Sequence, residues 1–106
     1  MAKYLFHGSY TQAGIQGVLK DGGTGRRNAV DALAKSVGGS VESMYFGFGK
    51  DDFYVIADLP NHASAAALAA TTGASGAVSI QTVVLLTVED IDAAVKLHPS
   101  YRAPGA

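Results

Sequence analysis

Apolar positions along the chain fall into two rhythms, short strand-like runs and stretches with helical spacing, and the two alternate from end to end. Residues 3–10, "KYLFHGSY", predict a strand, and Thr11 is placed to cap a short helix through Lys20. "DGGTG" at 21–25 breaks that helix, and Thr24 then caps a second stretch in which Ala29, Val30, Leu33 and Val37 recur at helical spacing until Gly38-Gly39 stops it. Two strands follow, from about Ser40 to Phe48 and from Phe53 to Leu59, the latter closed by Pro60, which has no N–H to give a ladder. Between them "GKDD", Gly49 to Asp52, predicts a tight hairpin turn in which Gly49 takes an unusual backbone angle and the two Asp bond nearby amides. Asn61 begins an Ala-rich helix whose Ala65, Ala66, Ala69 and Ala70 allow close approach to a sheet, and Gly73 or Gly76 ends it. "AVSIQTVVLL" predicts a fourth strand, and Thr87-Val88-Glu89-Asp90 opens a last helix through about Leu97. The tail, 98–106, is expected to be extended. This order gives an α+β class, a ferredoxin-like βαββαβ fold with an antiparallel four-stranded sheet and an extra C-terminal helix, in a single domain over residues 1–106 with its core at about 3–97.

A sheet with helices on one face and water on the other alternates apolar with polar residues, and these strands do not. The second strand offers Val41 and Tyr45 on one side against Met44, Phe46 and Phe48 on the other. The third sets Phe53, Val55 and Leu59 against Tyr54 and Ile56, and the fourth Val78, Ile80 and Val84 against Val83 and Leu85. Helices cover one face. A second copy of the chain is the simplest cover for the other, which predicts a homodimer or higher homo-oligomer with two sheets closed into a barrel.

Composition supports self-association: 48% of residues are hydrophobic and only 16% charged, against about 25% charged in an average soluble domain. A formal net charge of −1 without a Lys/Arg cluster argues against nucleic acid or an anionic membrane as partner. With no Cys there is neither a disulfide nor a thiolate nucleophile, and no apolar run reaches the roughly 18 residues of a membrane span. A cytoplasmic protein is expected.

Candidate chemistry is sparse. His7 interrupts an apolar strand, with Leu5 and Ser9 on its side and Tyr4, Phe6 and Tyr10 on the other. A neutral imidazole there serves as acid, base or ligand contact in a cavity, or as a hydrogen-bonded residue within a dimer interface. Asp58, near the end of an apolar strand, must be paired, exposed or functional. Tyr45 and Tyr54 carry phenols suited either to orienting a substrate or to an amphipathic core. The spacing of His7, His62 and His98 suits no metal, and adjacent Asp51-Asp52 supply too few oxygens for a divalent cation. "GGTGRR" fails the dinucleotide fingerprint because Asn28 stands where its third Gly belongs, so Arg26 and Arg27 are expected to pair across subunits or face solvent. No metal or cofactor is expected, and no serine has a nucleophile's setting.

Three segments, "GSYTQAGIQGVLKDGGTGRRNAV", "GGSVESMYFGFGKDDFYVIADLP" and "ASGAVSIQTVVLLTVEDID", resemble the GYD domain family over about residues 3–104. The likeness lies in a Tyr-Thr pair with Gly three residues on, a double Arg opening the second helix, a double Gly before the second strand and a Leu-Pro closing the third. In the motif that names the family, Gly49 and Asp52 match while Asp51 stands where Tyr is usual. The resemblance implies a dimeric α+β barrel, a fold whose relatives include cofactor-free monooxygenases, isomerases and haem-handling enzymes. Two functional readings follow: a small-molecule enzyme or binding protein whose pocket lies between helices and sheet with His7 at its polar centre, or a non-catalytic assembly or accessory protein with no pocket.

Overall fold

The computed structural model describes residues 1–106 as β1 (Ala2–Tyr10), α1 (Gln12–Ser36), β2 (Ser40–Phe46), β3 (Phe53–Leu59), α2 (His62–Ala74), β4 (Val78–Leu85) and α3 (Val88–Ala94). All strand pairs are antiparallel in the order β2-β3-β1-β4, the ferredoxin-like arrangement with an added C-terminal helix.

Local chemistry accounts for the boundaries. Thr11, Asn61 and Thr87 each accept a hydrogen bond from a first-turn amide of the helix they precede, and the Asp90 carboxylate accepts the Thr87 amide in return, which completes a capping box. The break expected at "DGGTG" narrows to one residue: Gly22, at φ 71° and ψ 177°, kinks α1 without ending it, because a glycine takes this backbone where other residues are strained. Gly76, at φ 79°, follows the end of α2.

On one face of the sheet Tyr4, Phe6, Phe53, Val55, Ala57 and Leu59 are buried, joined by Ala65 and Leu68 of α2. The Tyr4 hydroxyl, deep in this core, shares a 2.7 Å hydrogen bond with His62 Nδ1 at the start of α2, so its burial leaves no polar group orphaned. Gly14 brings α1 against the chain entering β4: a Cβ there would stand 2.0 Å from the Ala77 carbonyl oxygen.

Three expectations change. The register of β2 against β3 shifts between Val41 and Ser43, and this bulge at Glu42 turns Val41 to the helix-covered side with Met44, away from Tyr45. β2 stops at Phe46, and the connection to β3 is wider than "GKDD", closed by the Gly47 amide donating to the Asp52 carbonyl at 2.9 Å. Gly49 is not among the glycines with positive φ, so the turn does not require glycine there.

β1's alternate residues Lys3, Leu5, His7 and Ser9 face away from the helices, beside Tyr54, Ile56 and Asp58 of β3 and Val83 of β4. No helix covers this open face. Beyond β4 the chain runs outward as an arm: α3 buries nothing, and Val88, Ile91, Val95 and Leu97 are all exposed. The arm stretches the molecule to 55 Å with a radius of gyration of 16.8 Å, where a compact chain of this length has about 13 Å. No helix is long and apolar enough to cross a membrane.

Candidate functional site

The two faces of the sheet hold different chemistry. On the open face, the loop after β2 folds back over the end of β1. The Asp52 amide donates to the Gly8 carbonyl at 2.7 Å, the Asp52 carboxylate accepts the Tyr10 amide at 2.9 Å, and Ser9 Oγ donates to the Lys50 carbonyl at 3.2 Å. These bonds deliver Asp51 to His7, whose Nδ1 donates to Asp51 Oδ2 at 2.7 Å with both side chains about four-fifths buried. A carboxylate accepts, so this bond favours the tautomer with its proton on Nδ1 and leaves Nε2 without a hydrogen bond in the chain. The His7 ring lies nearly parallel to Tyr54, 9° between planes and 6.2 Å between centroids.

Tyr45 stands directly opposite Tyr54 in the β2–β3 register, 70% exposed. Asp58 lies at the other end of the same face, where its carboxylate and that of Glu42 hold Lys3 Nζ at 2.8 and 2.9 Å. These hydrogen bonds, Asp58's first, raise the Lys3 ammonium above its usual range. Of the expected site residues, the structure thus gathers His7, Tyr54 and Tyr45 and places Asp58 apart from them in an ion-pair cluster.

On the covered face the helices stand apart and leave a cavity of about 430 Å³ between them and the sheet. Phe6, Val30, Leu33, Met44, Val55 and Leu68 form much of its wall, and Arg26 is the one charged residue among its 18 lining residues. None of His7, Tyr45, Tyr54 and Asp58 lines it, so the expected combination of a helix–sheet pocket with His7 at its polar centre separates into two sites on opposite faces. Burial pushes the Tyr10 phenol up against the pull of the neighbouring Arg26 guanidinium. Arg26 Nε is buried without a hydrogen-bond partner, whereas Arg27, one residue on, bonds Asp31 at 3.1 Å across one helical turn. The signal for Arg26 was in the sequence: it precedes Val30 by four residues and Leu33 by seven, which sets it on the apolar stripe of its helix.

A family model, the GYD domain, matches residues 4–95, which take in the kinked helix and all four strands except the first two residues of β1. The chain belongs to the GYD domain family. No curated protein and no solved structure matches it. Within the matched residues, Asp51 is the one that pairs with His7.

Proposed function

We propose that this GYD domain binds an apolar small molecule in the cavity between its helices and sheet, and associates with itself through the open face. The cavity carries the reading: about 430 Å³ with mainly apolar walls falls in the range of sites for small organic molecules. Self-association is supported by the open face and the arm together, which leave Leu5 and Ile56 half-covered and Val83, Leu86, Ile91 and Val95 exposed in one subunit. A two-fold pairing that covers both needs a largely apolar interface of roughly 2,000 Å² in total. A cytoplasmic location belongs to the same reading, and cell fractionation tests it.

The 2.7 Å His7–Asp51 bond beneath Tyr54 favours a second reading, in which the molecule lies against the open face and Nε2 acts as acid or base. A thermal-shift screen of apolar and aromatic compounds separates the two. Val30→Phe fills the helix–sheet cavity and is expected to abolish the ligand-induced shift while His7→Phe keeps it. The reverse pattern selects the open-face reading. A shift with no compound at all leaves the accessory protein without a pocket as the function, with light scattering still reporting self-association.

A further inference from the structure

We propose that the cavity takes an amphipathic organic acid, its single carboxylate held by Arg26 and its apolar body laid along the sheet toward Val41 and Ala57. This inference rests on the cavity reading above and adds the chemical class of the ligand.

The first observation is the orphaned donor. Arg26 brings a permanent positive charge to a mostly apolar wall, and no carboxylate of the chain lies on it. A neutral occupant leaves the buried Nε without an acceptor, whereas a carboxylate supplies one with the two-pronged fit that guanidinium offers planar acids. No second cation lines the cavity, so a doubly charged phosphate would stay half-neutralised among apolar groups.

The second observation is the cavity's polarity along its length. Its polar lining residues besides Arg26 are Tyr10, Thr71, Thr72 and Ser75, from the end of β1 and the end of α2. Thr72 and Ser75 spend their hydroxyl protons on carbonyls of their own helix. The Tyr10 phenol, beside Arg26 on the cavity wall, is a further donor for an anionic head. At the other end the register places Ala57 opposite both Tyr4 and Val41. Tyr10 lies six residues from Tyr4 along β1, about 20 Å at strand spacing. One end is thus cationic and donor-rich, and the other presents only hydrocarbon.

The test uses two acid–alcohol pairs of matched body, decanoate with 1-decanol and 2-naphthoate with 2-naphthalenemethanol, titrated calorimetrically into the wild type, Arg26→Gln and Arg26→Lys. In at least one pair the acid is expected to bind about tenfold or more tighter than its alcohol, as a charge-assisted bond requires. Arg26→Gln is expected to erase that preference, and Arg26→Lys to retain part of it. In the wild type the Arg26 Nε–H resonance is expected to shift with the acid and not with the alcohol, a readout that holds should Arg26→Gln fail to fold. Equal affinity for acid and alcohol, or a preference that survives Arg26→Gln, overturns the head-group inference and leaves the cavity reading standing. If none of the four compounds binds, the cavity reading itself falls and this inference with it.

Discussion

Leu59 and Leu5 sit on strands paired side by side in one sheet and meet opposite fates. Leu59 faces the helices at 0% exposure, while Leu5 faces outward, only half-covered by its neighbours. The covered face is apolar apart from the polar end of its cavity and takes its order from packing. The open face carries an apolar band with polar clusters at its ends, Lys3 with Glu42 and Asp58 at one and His7 with Asp51 at the other. Apolar content alone does not separate a core from an unpartnered surface. The bonded polar groups do, because they tolerate contact with water before assembly and define a direction for whatever covers the band.

The comparison breaks first at Leu59. Leu59→Ala is expected to cost about 2 to 5 kcal/mol of unfolding free energy by urea titration, since it removes a side chain with no exposed surface. Leu5→Ala is expected to cost well under half of that in dilute protein, with a penalty that grows as concentration rises if a second copy covers Leu5. A lysine at the centre of the band, Ile56→Lys, is expected to yield folded monomers by light scattering, because a charge buried there has no partner. A wild type that is itself monomeric at micromolar concentration overturns the assembly reading.

His7→Phe is expected to cost about 1 to 3 kcal/mol by leaving the mostly buried Asp51 carboxylate unbonded, and His7→Phe with Asp51→Leu is expected to recover much of it. Alkaline pH acts more gently. Folding raises the Tyr10 phenol above its ordinary value near 10 and holds the Lys3 ammonium above 10.5, so both contributions are complete below those values. They are lost as pH climbs through the raised ones, because the unfolded chain ionises Tyr10 and neutralises Lys3 first. Melting temperatures measured from pH 9 upward are expected to fall, and Tyr10→Phe to flatten part of the decline. The smallest effect is at Gly49. Its φ is not positive and no atom lies within 4 Å of the place a Cβ would take, so Gly49→Val is expected to change stability by no more than about 0.5 kcal/mol.

Element order was legible in the sequence because each boundary has its own chemistry: caps at Thr11, Asn61 and Thr87, glycine at 38 and 76, proline at 60. The alternation of β1 was legible and sets His7 opposite Tyr4 and Phe6, but which side the helices cover was not: the expected helix–sheet pocket had His7 at its polar centre, and the structure puts His7 on the open face. Nor was the side of Val41 legible, because a bulge inserts one residue and reverses the alternation upstream of it, leaving no compositional mark at Glu42. Asp51 as the partner of His7 was hidden for another reason. The two are 44 positions apart, and only the strand register and the folded-back loop bring them within a hydrogen bond. Arg26 was visible in the helical spacing but looked like a solvated or cross-subunit charge, because a sequence does not show how far apart two helices will stand.

The bulge at Glu42 has a consequence for how this sheet can grow. β2 and β4 are its two edges, and each has backbone groups with no strand beside them. The shifted register kinks β2 and spoils it as a template, while the β1–β4 register runs unbroken from Lys3–Leu85 to Tyr10–Val78 and leaves β4 a regular outer rim. A ladder with one spoiled rim accepts a stranger on one side only. Two such sheets that met rim to rim would have no regular rim left to offer a third, so the same irregularity that misdirects the reading of Val41 would also limit edge-to-edge pairing to a single step.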